Sequence, residues 1–314
     1  MRKTLILIIT IVLIVACSKE KRSDKAAGKM QEFIINISSY SRGLDPDFII
    51  IPQNGIELAF SNCDTAEGFN SSFISAIDGV GIESLFYEET TVEDDGRLGM
   101  ARRIKNASKK ILVADYVNDN SNIASAIQHS KNEDFICFPR SSENYDYKYI
   151  PDSVINENTN NINTLQDAKN YLYLINTDNF SSKQDMLNAI AATNFDALII
   201  DMFFNEEALT STEVTQLKTK ANGGKRLLIS YINVGAAEKW RYYWKKSWMV
   251  HIPCWLKRKY EGYGDEIWVK FWNNKWQEII YGNDDSYFKK IIDAGFDGAY
   301  LDNVEAYYFL YFKD

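Results

Sequence analysis

Residues 296–307 read FDGAYLDNVEAY, a short apolar run that leads directly into acidic residues. An acid at the carboxyl end of a buried strand is a common way to build a functional site in α/β proteins. Asp302, Asn303 and Glu305 are expected at such a position, yet few residues follow them in the chain. The segment therefore predicts a site whose other strands come from earlier in the sequence.

Short apolar runs separated by helical stretches recur through the rest of the chain. Eight further runs are candidate strands: FIIIP (48–52), VGIESLF (80–86), ILVADY (111–116), FICFP (135–139), YLYLI (171–175), ALIIDMFF (197–204), RLLISYINV (226–234) and IWVKFW (267–272). Helices are predicted at 121–130, 183–191, 212–221 and 275–294. Several runs are apolar at successive positions, as in parallel strands that are covered on both faces. The pattern predicts an α/β protein with a (β/α)8 barrel. A doubly wound sheet is the alternative, but no glycine-rich phosphate-binding turn follows any strand.

The N-terminus has the pattern of a secretion signal. Arg2 and Lys3 precede an apolar run over 5–16 that is too short to span a bilayer as a helix. The end of this run resembles the lipobox of bacterial lipoproteins, which implies cleavage before Cys17 and lipidation of its thiol; an ordinary signal peptide is the alternative. Residues 1–17 are thus predicted to be a lipoprotein signal peptide and residues 18–29 a flexible tether. The predicted location is the bacterial cell envelope, in the outer membrane or at the cell surface, with the chain anchored to the membrane through Cys17.

Composition excludes several classes of function. A net charge of −8 argues against a nucleic-acid partner, because phosphate binding needs a basic surface. With only two histidines, a His-based triad or a His-rich metal site is not expected. The cysteines other than Cys17 are odd in number and widely spaced, which predicts neither a disulfide framework nor a metal site. Carboxylates must therefore do any acid–base work, and no cofactor is predicted.

Polar residues follow many of the predicted strands. They are Gln53, Asn54, Glu83, Asp115, Asp201, Asn233, Glu238, Asp302 and Asn303. Taken singly, each is better explained as a turn residue or a helix cap. Glu83 is the sharpest case, because a glutamate between apolar residues is costly to bury unless it is paired or functional. As a set they predict a carboxylate site, and two facing carboxylates are what glycosidic bond cleavage needs.

A long aromatic and basic segment, VGAAEKWRYYWKKSW, covers residues 234–248. Arg241 can order a neighbouring carboxylate, and Trp244 belongs to a candidate sugar-stacking platform with the two tyrosines before it. Packing or contact with a membrane interface is an equally good explanation. Lys270 and Trp272 have the same character at the end of another predicted strand.

The polar, asparagine-rich stretch from 141 to about 163 interrupts the alternation of strands and helices. Similar strands flank it on both sides, and neither half holds a complete barrel. The stretch is therefore predicted to be a linker within one domain that covers residues 30–314.

Several of these segments resemble glycoside hydrolase family 114, which includes endo-α-1,4-polygalactosaminidases. The resemblance rests on FDGAYLDNVEAY, ISYINVGAAEKWRYYW, IWVKFWNNKWQEII, IIPQNG and GVGIESLFY. It implies a (β/α)8 barrel that cleaves galactosamine-containing exopolysaccharide, with Asp302 and Glu83 as the catalytic pair. It also implies that Asp201, Tyr231, Glu238 and Arg241 match acids and motif residues of the family's second and third strands.

Two features differ from that family. The segments that end the family's barrel come first in this chain, which implies a circular permutation with the old ends joined through residues 141–163. Where relatives often read GEAEDYR, this chain reads GAAEKWR, so Ala236 and Lys239 replace two acids. The resulting hypothesis is an exported glycoside hydrolase with a polysaccharide substrate. The alternative is a non-catalytic carbohydrate-binding surface lipoprotein.

Overall fold

The protein is described from a computed structural model that covers residues 2–141 and 146–312, with side chains from Lys19 onward except that of Asn120. The helices are α1 (Arg2–Leu44), α2 (Ser71–Ala76), α3 (Asp95–Asn106), α4 (Asn120–Asn132), α5 (Lys183–Ala191), α6 (Ser211–Leu217), α7 (Asn274–Ile280), α8 (Tyr287–Ala294) and α9 (Ala306–Phe309). The strands are β1 (Ile49–Pro52), β2 (Gly79–Glu88), β3 (Thr90–Thr91), β4 (Lys110–Tyr116), β5 (Ile136–Cys137), β6 (Tyr171–Leu174), β7 (Ala197–Asp201), β8 (Phe203–Phe204), β9 (Glu207–Ala208), β10 (Leu227–Asn233), β11 (Ala236–Glu238), β12 (Leu256–Tyr260), β13 (Tyr263–Val269) and β14 (Gly298–Asp302).

Parallel strands form the centre of this mixed α/β fold. Five lie in the order β1-β14-β10-β7-β6, and β2, β4 and β5 are parallel neighbours in a second sheet that also holds β3. A parallel bridge between Gln53 and Gly81 joins β1 to β2. Every residue of β7 and β10 is buried, as expected for strands covered on both faces. Because their carboxyl ends point the same way, the polar residues that follow them gather on one side.

Two glycines let backbone and side chains pack closely at this core. A Cβ added to Gly235 would lie 2.0 Å from the carbonyl oxygen of Asn303, and one added to Gly81 would lie 1.8 Å from the hydroxyl of Tyr300. Larger residues at these two positions are therefore incompatible with the observed packing. Gly235 faces the backbone that carries the 302–303 segment.

The predicted strand IWVKFW is not one of the parallel strands. Residues 263–269 form β13, which pairs antiparallel with β11 and β12 in a separate three-stranded sheet. Gly262, with φ of 88°, lies in the turn that reverses the chain between β12 and β13. The first half of β13 is exposed or half-buried, so this run lacks the two covered faces of its parallel counterparts. The helix predicted over 275–294 is likewise divided into α7 and α8 around Gly282, with φ of 102°.

The predicted linker over 141–163 is packed on the domain from Asp146 onward. The Tyr147 carbonyl accepts a hydrogen bond from the Ile175 amide at 3.0 Å, and the Ile162 amide donates to the Lys225 carbonyl at 3.0 Å. Both Tyr147 and Ile162 are buried. The segment thus runs from the carboxyl end of β6 to the amino end of β10. It occupies the position of a crossover helix, and its buried residues are part of the core.

Helix α1 corrects the prediction of a flexible tether over residues 18–29. Ser23, Ala26 and Ala27 are buried within this helix, and Ser23 Oγ donates to the carbonyl of Tyr307 at 3.2 Å. Residues 1–17, with the predicted lipidation site Cys17, lie outside the residues whose side chains are described. Among the described residues, no helix is both long and apolar enough to cross a membrane.

Candidate active site

A cavity of about 650 Å³ opens at the carboxyl ends of the parallel strands. Most of the residues predicted for the site line it: Gln53, Asn54, Glu83, Asp201, Tyr231, Glu238, Arg241, Asp302 and Asn303. They come from β2, β7, β10, β11, β14 and the segments that follow β1, β11 and β14. The topology thus brings together residues that are far apart in sequence.

Glu83 lies in β2 just before the strand becomes irregular. Its Oε1 accepts a hydrogen bond from the Tyr147 hydroxyl at 2.5 Å, and its Oε2 accepts one from Asn54 Nδ2 at 3.2 Å. The Asn54 side chain also accepts a hydrogen bond from the Glu83 backbone amide at 3.0 Å, so it binds both the side chain and the backbone of Glu83. Burial raises the pKa of the Glu83 carboxyl, while the Tyr147 hydrogen bond and the nearby Arg140 oppose that rise.

Asp302 ends β14 with its carboxylate in the same cavity. The Tyr231 hydroxyl donates to Oδ2 at 2.5 Å, and the Asn303 amide donates to Oδ1 at 2.6 Å. Burial, followed by the negative charge of Glu83, raises the pKa of Asp302 to about 7. The two carboxyl groups are therefore close enough to influence each other's ionisation, and each is held by a tyrosine hydroxyl.

A buried ion network supports one wall of the cavity. Arg241 makes two hydrogen bonds to Asp201, at 2.9 and 2.6 Å, and its Nε donates to Glu238 Oε2 at 2.6 Å. The side chains of all three residues are nearly buried. The bidentate pairing fixes the guanidinium, so the hydrogen bonds of Arg241 go to its two carboxylate partners in the cavity wall.

Sequence reasoning missed several cavity residues. Those of most chemical interest are Asp146, Tyr147, Tyr173, Asp178, Trp240, Tyr260, Glu261 and Glu266. The pKa of Glu266 is raised to about 9 and that of Glu305 to about 8, in both cases mainly by burial. Glu305 follows Asp302 in one segment and was anticipated there, and Glu266 directly precedes an apolar run. Tyr147 carried no signal, because an asparagine-rich stretch gives no periodicity to place it.

Four predicted substrate-binding residues do not line the cavity. Asp115 is buried, and its Oδ1 accepts hydrogen bonds from the amides of Phe86 and Tyr87, so it fixes the end of β2. Its pKa is raised to about 6 by burial. Trp244 packs edge-on against Trp248 at 5.3 Å. These two residues therefore serve the fold.

Lys270 and Trp272 lie outside the cavity for a different reason. The antiparallel course of β13 carries the end of the segment away from the cavity and towards α1. Lys29 Nζ lies 4.3 Å from the centre of the Trp272 ring, and the Lys270 amide donates to the Trp255 carbonyl at 2.7 Å. Among the described residues, no group of three or more His, Cys, Asp or Glu side chains could hold a metal ion. The chemistry available in the cavity is that of carboxyl groups with tyrosine donors.

Comparison with known proteins gives partial matches to three relatives. The chain is 32% identical over 120 residues to an uncharacterized protein of Thermotoga maritima, covering 38% of this chain and 35% of that protein. It is 34% identical over 124 residues to an uncharacterized protein of Deinococcus radiodurans, covering 40% and 38% of the two chains. It is 31% identical over 160 residues to the uncharacterized protein MJ1477 of Methanocaldococcus jannaschii, covering 49% of this chain and 44% of that protein. The chain thus spans less than half the length of these curated relatives.

A family model gives the broader match. The model of glycoside-hydrolase family GH114 matches residues 155–314, which include β6 to β14 and the Asp302 segment. The matched part also contains Asp201, Tyr231 and the Arg241 network. Glu83 and its strand precede the match, yet they line the same cavity. The chain belongs to glycoside hydrolase family 114.

Proposed function

We propose that the protein is an exported glycoside hydrolase that cleaves galactosamine-containing exopolysaccharide with two carboxyl groups, Glu83 and Asp302. The observation that carries this proposal is the pair of half-buried carboxyls that line one cavity, each held by a tyrosine hydroxyl. Two carboxyl groups that flank a scissile bond, one protonated and one ionised, are the minimum for glycosidic cleavage. Membership of a glycoside hydrolase family supports the same chemistry.

In the proposed mechanism, Glu83 donates a proton to the leaving oxygen and Asp302 attacks the anomeric carbon or activates water. The raised pKa of Glu83 favours its protonated form, which a general acid requires. The amide of Asn303 and the hydroxyl of Tyr231 both donate to Asp302 and favour its ionised form, against the burial that raises its pKa to about 7.

A cationic, partly deacetylated polymer is the proposed substrate. The cavity is lined by many carboxyl groups: Glu83, Asp146, Asp178, Asp201, Glu238, Glu261, Glu266, Asp302 and Glu305. Arg241 also lines it, but this residue is held by Asp201 and Glu238. Burial raises the pKa of several of these carboxyl groups, and a bound ammonium group would favour their ionised form, so the cavity suits an ammonium-bearing sugar better than an acidic one.

We further propose that the parallel strands form a circularly permuted (β/α)8 barrel. Three observations support it. The parallel strands run β6-β7-β10-β14-β1 and continue through the Gln53–Gly81 bridge to β2-β4-β5. The family model begins at residue 155, inside the asparagine-rich stretch. Between the two sheets, the side chain of Tyr171 in β6 reaches the second sheet: its hydroxyl donates to the Val113 carbonyl of β4 at 2.8 Å, and its ring lies 5.8 Å from that of Phe138, which follows β5.

The proposed location is the bacterial cell envelope, with the chain anchored by lipid on Cys17 in the outer membrane or at the cell surface. The lipobox-like sequence before Cys17 supports it. Metabolic labelling with a palmitate analogue tests it: wild type is expected to be labelled, and Cys17→Ala is expected to remain unlabelled. Label on the Cys17→Ala variant would place the modification elsewhere.

The activity is tested with partly deacetylated polygalactosamine, fully acetylated polygalactosamine and polygalacturonate as substrates. Wild type is expected to release reducing ends fastest from the partly deacetylated polymer. Asp302→Asn and Glu83→Gln are each expected to lose about 10²- to 10⁴-fold in rate, because each removes one half of the acid–base chemistry. Glu278→Gln, at an exposed position on α7, is the matched control and retains the wild-type rate. Equal product release by wild type and both site variants refutes the assignment.

An aryl galactosaminide with a good leaving group separates the two roles. Such a leaving group needs no proton, so Glu83→Gln is expected to recover bond cleavage on it while Asp302→Asn is not. The reverse result would exchange the roles of the two residues. If wild type binds the polymer without releasing product, the protein is the carbohydrate-binding alternative. The buried Ala236, in place of a family acid, gives that alternative its support.

A further inference from the structure

The segment 239–260, here termed the cationic loop, has a composition unlike the rest of the chain. It contains seven Lys or Arg residues and no Asp or Glu, whereas the whole protein has a net charge of −8. Three of these cations are engaged: Arg241 with Asp201 and Glu238, Lys239 with Asp265, and Arg258 with Glu261. Four exposed lysines remain on the outer surface, at positions 245, 246, 257 and 259. The loop is therefore a local positive surface on an acidic protein.

The tip of the cationic loop exposes aliphatic side chains between these lysines. Met249, Val250 and Ile252 are 69, 78 and 69% exposed. Beneath them the ring of Trp248 packs edge-on against Trp244 at 5.3 Å and against Trp255 at 5.0 Å. The tip is thus presented on a rigid aromatic base. Solvent-exposed apolar side chains in a fixed position indicate a surface that contacts a membrane or another molecule.

We infer that the cationic loop docks on an anionic lipid surface, with Met249, Val250 and Ile252 inserted among the acyl chains and the lysines at the headgroups. Aliphatic residues flanked by lysine and tryptophan are the pattern of interfacial membrane contact. Each lysine near an anionic bilayer adds attraction, so the positive charge of the loop fits this partner. A glycan partner fits the tip less well, because Met249, Val250 and Ile252 offer no flat ring on which a sugar can stack; the exposed rings of Trp240 and Tyr242 belong to the start of the loop.

The position of the loop agrees with this partner. Helix α1 passes its base: Lys29 lies over Trp272, Phe33 stacks on Phe271 at 6.1 Å, and the neighbouring Asn273 contacts the Cys254 sulfur at 3.8 Å. The N-terminal helix, which leads towards the proposed anchor, and the loop therefore lie on adjoining surfaces. Trp240, at the start of the loop, lines the cavity. Docking of the loop would place the mouth of the cavity beside the lipid.

The test uses the full chain in vesicles of phosphatidylcholine with or without phosphatidylglycerol, read by hydrogen–deuterium exchange of peptides over residues 244–256. Because the readout is local to the loop, attachment through the N-terminal segment does not mask it. Exchange is expected to be slowed on the anionic vesicles relative to the neutral ones. The Met249→Ser/Val250→Ser/Ile252→Ser and Lys245→Gln/Lys246→Gln variants are expected to lose this protection.

Matched controls lie elsewhere on the surface. Tyr149→Ser removes an exposed apolar ring, and Lys131→Gln removes an exposed lysine at the end of α4; both variants should keep the wild-type protection. Equal exchange of the loop on anionic and neutral vesicles overturns the inference. Protection caused instead by an acidic polysaccharide, or by raised protein concentration without lipid, overturns it as well. These outcomes do not depend on whether the cavity hydrolyses sugars.

Discussion

Each of the two proposed catalytic carboxyls accepts a hydrogen bond from a tyrosine hydroxyl, and the two tyrosines come from very different parts of the fold. Tyr231 belongs to β10, so its position follows from strand pairing. Tyr147 belongs to the asparagine-rich segment and is held by stacking on Tyr173, with ring centres 3.8 Å apart. The Tyr173 hydroxyl in turn donates to Gln53 at 3.0 Å. The orientation of Glu83 therefore depends on a segment that looked like a spacer.

Replacing Tyr147 by Phe is expected to raise the pKa of Glu83 further, because the lost hydrogen bond favoured the ionised carboxylate. If Glu83 is the general acid, the alkaline limb of the kcat/KM profile moves to higher pH. Titration of the Glu83 carboxyl by ¹³C NMR measures the pKa directly, whether or not the substrate is known. Tyr149→Phe, in the same segment but exposed, is the control and should leave the titration unchanged. A Glu83 pKa that is equal in wild type and Tyr147→Phe contradicts the positioning role.

The site residues that could be predicted from the sequence are those that belong to the recurring pattern of apolar strands followed by polar residues. Glu83, Asp201 and Asp302 were predictable because each interrupts or ends an apolar strand. Tyr147 and Glu266 were not, because their places in the cavity depend on how an irregular segment and an antiparallel hairpin fold back. Asp115 fits the same pattern as the cavity acids but binds backbone amides, and only the geometry separates these two uses of a strand-end carboxylate.

At the scale of elements, the asparagine-rich segment is fastened to the amino ends of the strands by a buried ion pair. Lys220 Nζ lies 2.8 Å from Asp196, and both side chains are fully buried. Asn158 joins them: its Nδ2 donates to Asp196 at 3.0 Å, and its carbonyl accepts from Lys220 at 3.1 Å. The segment is therefore held at one end by this pair and at the other by Tyr147.

Asp196→Ala is expected to lower the free energy of unfolding by about 3–5 kcal/mol, because it leaves the buried Lys220 ammonium without its counter-charge. Urea unfolding measures the change. Asp293→Ala, which breaks the exposed pair with Lys289, is the control and should cost no more than about 1 kcal/mol. The double variant Asp196→Leu/Lys220→Met should recover much of the loss, since it removes both charges. An Asp196→Ala variant as stable as wild type would show that the pair is not structurally required.

Element types were largely predictable, but their arrangement was less so. Runs such as ALIID and LLISYIN are apolar at nearly every position, which indicated parallel strands covered on both faces, and the structure confirms them. The run IWVKFW is just as apolar but belongs to an antiparallel sheet, because it follows a turn at Gly262 that the apolar pattern does not reveal. Likewise, α1 extends through a charged stretch, since one face of that stretch is buried by contacts that only the folded chain provides.

For the whole molecule, the acidic cavity makes stability depend on pH. The pKa values of Asp302, Glu305 and Glu266 are raised to about 7, 8 and 9, in each case chiefly by burial. The folded protein therefore binds protons that the unfolded chain has already released. The contribution of these three groups to the free energy of unfolding is full below about pH 4 and is lost as pH rises to about 9.

Urea unfolding at several pH values from about 5 to about 9 measures this decline. Glu266→Gln is expected to flatten its upper part, because the group with the highest of these three pKa values no longer ionises on unfolding. Glu278→Gln, exposed on α7, should leave the curve unchanged. Stability that rises across this pH range would contradict the proposed burial of protonated carboxyls.

The pairing of β1 with β14 has a consequence for when the cavity forms. Residues 49–52 pair with residues 298–301, and Asp302 follows directly, so one wall of the cavity waits for a strand that is made long after β1. Glu83 and Tyr147 emerge much earlier and remain without their partner wall. If the chain is exported, as proposed above, and crosses in an extended state, the cavity cannot assemble until residue 302 has crossed the membrane. Activity would then appear only on the far side.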